Sequence, residues 1–432
     1  MRPVLIALML SLLGASAHAQ DRAPEKPGGD TATKTAPPTT DKTAPPTTDK
    51  KTAPDKKEAA KPMAPMAFFI ATGDPGSCGS GCGAWIAAEG RIDDGTPRRL
   101  RALLARLGKR KLPIFFYSVG GSVVAALEMG RMLRARDMTA GVARTIPQGC
   151  DPLQADEAAC DTLKRSGREL PAVLRTTNAS CNSSCVYALI GAAVREVPID
   201  AGLGVHSVSI LQTMIRRNGE GRVLATSSRR VTGDAPGIRA AHSRVARYAA
   251  EMGISRGLID AAAAVPHDTI RFITREEIAR FGIDKREFIE TRWAADAGTT
   301  GAFAKWIMEA RGAEPRHYYT TMIRLGCAGK LIDMRISRRA PALGKVPLMV
   351  INAGDRDVYL GTARAWSDTK GNEGETRGAR VPIYFLERAV ARDTVELIEA
   401  TSYATASSPT HRISLSTAGF APLLSALLQK CQ

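Results

Sequence analysis

Apolar positions in this chain follow two different periods, and the switches between them mark out the elements. Residues 67–71 (AFFIA) and 85–88 (WIAA) are short, nearly continuous apolar runs that predict buried strands. Leu100, Leu103, Leu104 and Leu107 then recur at i, i+3, i+4 and i+7, which predicts an amphipathic helix that Thr96 caps and Pro97 begins. Residues 114–117 predict a strand, Gly120 and Gly121 a turn, residues 122–136 a helix and residues 139–144 another strand. This alternation is the βαβ order of a mainly parallel sheet, so the fold class is α/β. A polar loop over 145–170, a helix over 183–194, a strand near 202–208, a hairpin or mobile flap at RRNGEGRV (216–223) and a helix over 238–252 continue the pattern. The first domain closes near residue 295, giving a unit over 67–295. Residues 300–432 differ in texture. A buried strand candidate at 346–351, glycine-rich charged loops and a second apolar run at 381–386 predict a smaller α+β domain with no assignable role.

The ends of the pattern concern address rather than fold. Met1-Arg2, an apolar stretch over 4–13 and the small residues before Gln20 have the layout of a secretory signal, which predicts removal of residues 1–19. An uncleaved inner-membrane anchor is the weaker alternative. Residues 20–66 are mostly Pro, Thr, Ala and Lys, with TAPPTTDK repeated at 35–42 and 43–50, and predict an extended, disordered tether. No later segment holds the roughly 20 apolar residues of a membrane span. The expected location is the periplasm or the exterior.

The formal net charge of +17 changes this picture little for the tether, which is nearly neutral, and much for the rest, which is basic. Outside the cytoplasm such a surface points to anionic envelope polymers or lipid headgroups rather than a specific nucleic acid. A basic surface kept only for solubility is the simpler reading.

Eight cysteines in an exported chain predict disulfides, drawn from Cys78, Cys82, Cys150, Cys160, Cys181, Cys185, Cys327 and Cys431. Cys78 and Cys82 sit in a glycine-rich loop that can close a local ring, and a Cys327 to Cys431 bond would close the C-terminal part. Cys181 and Cys185 present a difficulty. Four apart on a helix, their Cβ atoms would stand about 6 Å from each other, against the roughly 3.8 Å a disulfide needs. Their bonding to each other requires Cys181 to lie outside the helix, and pairing with Cys150 or Cys160 is the more direct expectation. A zinc site of four thiolates is a minor alternative, and no metal is assigned.

Three separated stretches carry candidate chemistry. In FFYSVGGSVVAALEMG (115–130) two adjacent glycines leave backbone N–H groups uncovered at a helix start, where they suit an anion or a developing oxyanion. In TTNASCNSSCVYALIGAAV (176–194) a serine stands at the first turn of a helix, though serines there are also ordinary caps. In LGVHSVSI (203–210) His206, one of six histidines, follows that serine along the chain.

With these residues in view the chain resembles the ClpP/crotonase superfamily. YSVGGSV is similar to the family's N-S-P-G-G-S/x-V turn, with Val119 in place of the proline. CNSSCVYALIGA looks like its nucleophile stretch and GVHS like its strand histidine, while RFITREEIARFGIDK (271–285) resembles the R-F-L-S tail of Clp-type serine peptidases. The match covers 67–285 in the family's order and is closest to exported ClpP-like proteins carrying C-x-S-x-C. It implies a ClpP/crotonase-like spiral of ββα units, with Ser183 as nucleophile, His206 as general base, and an oxyanion hole from Gly120, Gly121 and the Ser184 N–H. Ser184 is the runner-up nucleophile. Where the family has an aspartate before R-F-L-S this chain has Ile270, so the orienting role falls to Asp268, with Asp260 or a backbone carbonyl as alternatives. The implied activity is that of a serine peptidase on peptide or protein substrates, homo-oligomeric and without cofactor, and the location outside the cytoplasm leaves no ATPase partner expected. The acyl-CoA chemistry of crotonases does not suit an exported protein. The competing expectation is a non-catalytic relative that binds an envelope component.

Overall fold

The computed structural model describes residues 63–431 except residues 80, 151–157, 234, 297–298, 313–316, 330, 340–347, 368–372 and 403–408. The expected signal over 1–19 and the tether as far as residue 62 lie outside the described residues, as do residues 346 and 347 of the strand expected there.

Strands β1 (Ala67–Thr72) and β2 (Ala84–Glu89) form an antiparallel pair, followed by α1 (Thr96–Leu107), β3 (Ile114–Tyr117), α2 (Val123–Ala135), β4 (Thr139–Val142) and β5 (Arg144–Pro147). Next come α3 (Ala158–Lys164), β6 (Leu170–Arg175), β7 (Ser180–Asn182), α4 (Ser184–Ile190), β8 (Val194–Glu196) and β9 (Gly202–Val205). The hairpin of β10 (Ile210–Arg217) and β11 (Val223–Val231) leads to α5 (Pro236–Glu251), α6 (Gly257–Ala263), β12 (Arg271–Phe272) and α7 (Arg275–Arg280). The main sheet has the order β5-β6-β1-β2-β3-β4-β8. It is mainly parallel: only β1 with β2 and β5 with β6 run antiparallel. The fold is therefore α/β. A second, three-stranded sheet of order β12-β9-β7 sets the serine and histidine stretches side by side.

Several local expectations are corrected. Helix α1 has Gly95 at its N-cap, and Thr96 is its first residue; the Thr96 hydroxyl instead accepts from Asp93 N at 2.9 Å and from Arg99 Nη2 at 2.8 Å. The 145–170 segment is not simply loop, because β5 and α3 lie within it. Helix α4 stops at Ile190 rather than Val194. The next residue, Gly191, lies so close to α2 that a Cβ there would be 2.2 Å from Gly130 Cα, and the N–H groups of Ala193 and Val194 turn away to Met138 O. This close approach presses the helix that follows the serine against the helix that follows the glycine turn.

All eight cysteines are in disulfides: Cys78 with Cys82, Cys150 with Cys160, Cys181 with Cys185, and Cys327 with Cys431. The Cys181 to Cys185 bond corrects the expectation that these two anchor to other loops. Cys181 lies in β7 and Cys185 in the first turn of α4, so the helical spacing that keeps them apart never applies, and their Cα atoms are 5.3 Å apart. No thiolate is left for zinc.

The largest core cluster runs from Met66 to Ile283, and a second from Trp293 to Cys431. The second lies among antiparallel strands that include Phe303–Arg311, His317–Ala328, Leu331–Arg339 and Leu348–Asn352, with helices Ile383–Val390 and Phe420–Lys430. The apolar run at 381–386 is not a strand. Glu373–Val381 ends at its first residue and Pro382 caps the helix that follows, since proline cannot extend a sheet ladder but suits a helix start. Among the described residues no helix is long and apolar enough to cross a membrane.

Candidate active site

Ser183 sits at a sharp strand-to-helix turn. Its backbone has φ 56 and ψ −125, one of three positive φ values at described non-glycine residues. A side chain at such a φ is strained by an amount of order 1–3 kcal/mol, and the strain persists only where the surroundings enforce it. Two restraints do so here. The Ser183 N–H donates to Gly204 O at 2.7 Å, and the Cys181 to Cys185 disulfide closes across the turn. Although Ser183 occupies the N-cap position of α4, its side chain makes no capping hydrogen bond. It is half-buried, whereas the neighbouring Ser184 is fully buried with its hydroxyl unpartnered. As the first residue of α4, Ser184 has a backbone N–H with no carbonyl of the helix to meet.

The glycine turn abuts this serine. Ser118 at the end of β3 donates its hydroxyl to Gly90 O at 2.6 Å and accepts from Gly120 N at 3.1 Å. Backbone bonds from Ser118 N to Ser180 O and from Asn182 N to Ser118 O tie the turn to β7. Gly120 (φ 92) and Gly121 (φ 143) follow, and Ser122 caps α2. A Cβ on Gly120 would stand 2.8 Å from Ser183 Cβ and 3.0 Å from Ser184 N, so only glycine lets the two turns meet. Gly120 N–H is engaged by Ser118, whereas the Gly121 N–H has no hydrogen-bond partner among the described residues. The expected residues Gly120, Gly121, Ser183 and Ser184 are thus in one place.

His206 is brought to the same sheet end. β7 and β9 are parallel neighbours with Asn182 opposite Gly204, so Ser183 and His206 both leave from the C-terminal ends of adjacent strands. His206 follows β9 rather than lying within it. No hydrogen bond joins the Ser183 hydroxyl to His206 among the described residues, and His206 Nδ1 is buried without a hydrogen-bond partner. Burial, then the nearby His267 and Arg230, hold the imidazole below its ordinary value, with the Ser207 backbone acting in the opposite direction.

Asp268 is exposed and forms neither a hydrogen bond nor an ion pair with His206 among the described residues, and Asp260 is exposed and paired with Arg256. The sheet register explains the gap. β12 pairs antiparallel with β9 through Arg271 and Val205, so the next step sets Ile270, an exposed apolar residue, against His206. Among the described residues no carboxylate hydrogen-bonds to His206 as a triad's acid would.

What stands beside His206 is His267, with ring centroids 4.8 Å apart. His267 Nδ1 lies 3.3 Å from Ser207 O, which can only accept, so that nitrogen carries the proton; Nε2 lies 3.2 Å from the Ser209 hydroxyl, which in turn accepts from Arg230 at 2.8 Å. Sequence reasoning passed over His267, Ser209 and Arg230. The available signal was the adjacency of His267 to Asp268, obscured by the search for an acid. Among the described residues no group of three His, Cys, Asp or Glu is placed to hold a metal ion.

No family model matches the chain, and no curated protein matches it. Among solved structures it is similar to a mutant of the 1510-N membrane-bound stomatin-specific protease, at 12% identity and a TM-score of 0.29, over 46% of this chain and 75% of that one. It is also similar to ClpP1 from Listeria monocytogenes, at 15% identity and a TM-score of 0.27, over 45% of this chain and 85% of that one. With so little of the backbone superposed, the reading of function rests on the residues of the site.

Proposed function

We propose that this protein is a serine hydrolase acting on peptide or protein substrates outside the cytoplasm. Ser183 attacks the carbonyl, His206 accepts the hydroxyl proton and returns it to the leaving group, and the N–H groups of Ser184 and Gly121 receive the oxyanion. The single observation that carries this reading is the backbone of Ser183. A capping serine needs no unusual φ and accepts a hydrogen bond, whereas Ser183 does neither; it is held in a strained elbow against a glycine turn, as an exposed nucleophile is in other hydrolases. The four disulfides fit an oxidising compartment. The peptide class of substrate and assembly as a homo-oligomer rest on the motif resemblance alone.

Ile270 opposite His206 and the missing Ser183 to His206 hydrogen bond favour a second reading, a non-catalytic protein that keeps the fold and binds an envelope component. A fluorophosphonate probe separates the two. The hydrolase reading expects labelling of the parent that Ser183→Ala removes and Ser184→Ala retains. A folded parent that takes no label sinks it.

A further inference from the structure

Apart from Arg230, whose guanidinium donates to the Ser209 hydroxyl beside His267, the β10–β11 hairpin has no place in the chemistry above. Among the described residues it pairs only within itself, from Ile210 opposite Val231 to Arg217 opposite Val223, and nearly every residue on both strands is exposed. An isolated two-stranded hairpin is at best marginally stable in water. Its apolar side chains are nonetheless large and uncovered: Leu211 is 61% exposed, Met214 55%, Ile215 52%, Val223 52% and Leu224 57%. Leu211 and Ile215 lie on one face, since residues two apart along a strand share a side. Arg216, Arg217, Arg222, Arg229 and Arg230 are interspersed with them, against a single acid, Glu220, which is paired with Arg222.

We propose that this hairpin docks on an anionic lipid surface. Arginines draw it to negatively charged headgroups, and the exposed aliphatic side chains enter the boundary between headgroups and acyl chains, as on amphipathic interfacial elements. Charge and apolarity together select this occupant. A soluble polyanion satisfies the arginines but gives Leu211, Ile215 and Leu224 no apolar phase. A second copy of the chain meeting this face symmetrically sets the same arginines against one another. The proposal does not depend on the hydrolase reading.

The purified full chain is mixed with vesicles of phosphatidylcholine alone or with about one third phosphatidylglycerol, and binding is read by flotation. The parent binds the anionic vesicles and releases as salt is raised. Joint replacement Leu211→Ser, Ile215→Ser and Leu224→Ser lowers affinity at least tenfold, each Arg→Gln change at 216, 217 or 229 lowers it about fivefold, and Ser183→Ala leaves it unchanged. As a check independent of the triple variant's folding, the indole introduced by Ile215→Trp is quenched by brominated lipid in anionic vesicles. The proposal is overturned if the parent ignores anionic vesicles, or if the aliphatic variant binds as the parent does, which leaves general surface charge as the cause. It is equally overturned if the fluorescence of the Ile215→Trp protein is unaffected by brominated lipid, or if the aliphatic changes only convert an oligomer to a monomer.

Discussion

Ser183 sets function against stability at one backbone position. If the turn imposes φ 56 on it, Ser183→Gly removes a strain of order 1 kcal/mol or more while Ser183→Ala keeps it. Both variants therefore lose probe labelling, but only the glycine variant unfolds at higher denaturant than the parent; equal midpoints for the two would show that the turn is relaxed. The base can be tested in the same way. Only neutral His206 accepts a proton, and its folded value lies below the ordinary value of about 6.5. The acid limb of the labelling rate is therefore expected below pH 6.5, with the rate flat above it. Ile270→Asp places a carboxylate against His206. It stabilises the imidazolium, so the limb moves to higher pH, and by orienting the ring it raises the plateau roughly tenfold or more. A plateau that stays flat or falls in a folded Ile270→Asp protein would mean that the register does not bring residue 270 to the base.

At the scale of elements the four disulfides are not equivalent. Chain-entropy reasoning assigns about 2 kcal/mol to closing a loop as short as that between Cys181 and Cys185, and about 4.7 kcal/mol to one as long as that between Cys327 and Cys431, which spans 104 residues. The short bond therefore matters less for stability than for holding the strand-to-helix turn that shapes Ser183. Paired Cys→Ser changes at 181 and 185 are expected to cost less than half as much stability in urea as paired changes at 327 and 431, yet to remove most of the labelling, which the latter pair retains. Loss of labelling in both pairs alike would count against a separate positioning role for the short bond. The same turn shows what a sequence discloses. Leu100, Leu103 and Leu104 announce their helix because its period is local, and Gly120, Gly121, Ser183 and His206 are readable because motif order needs no third dimension. The bond from Cys181 to Cys185 escapes a reading by spacing because its feasibility depends on where α4 starts, a matter of one or two residues. Ile270 against His206 is a register effect. β12 is two residues long and its partner strand lies far earlier in the chain, so no local pattern encodes the pairing. The antiparallel strands beyond residue 300 carry charges at buried positions, Lys305, Glu309 and Arg338 among them, which hide their alternation.

At the scale of the whole molecule, each large core is bordered by a buried carboxylate held by arginines. Asp284 accepts from Val197 N at 2.8 Å and meets Arg286 at 2.7 Å and Arg275 at 3.1 Å. Glu399 meets Arg311 at 2.6 Å and Arg338 at 2.7 Å. Burial alone would raise both acids, but the arginine hydrogen bonds and charges override it and bring each down to about 2. Their unfolded values lie near 4, so each folded value is depressed. The stabilisation, on the order of 2 kcal/mol per group, is complete above about pH 5 and is lost as pH falls through 4 towards 2. Asp284→Asn and Glu399→Gln remove the charge at every pH and leave Arg275 and Arg338, respectively, buried without their counter-ion, so both are strongly destabilising at pH 7. The gap between each variant and the parent should narrow as pH falls, to about half at pH 3, where the unfolded carboxylates are protonated and the folded ones still mostly charged, and should close only below about pH 2. Urea midpoints at pH 7 and pH 3 measure this directly: a deficit as large at pH 3 as at pH 7 would mean that these carboxylates act through packing rather than charge.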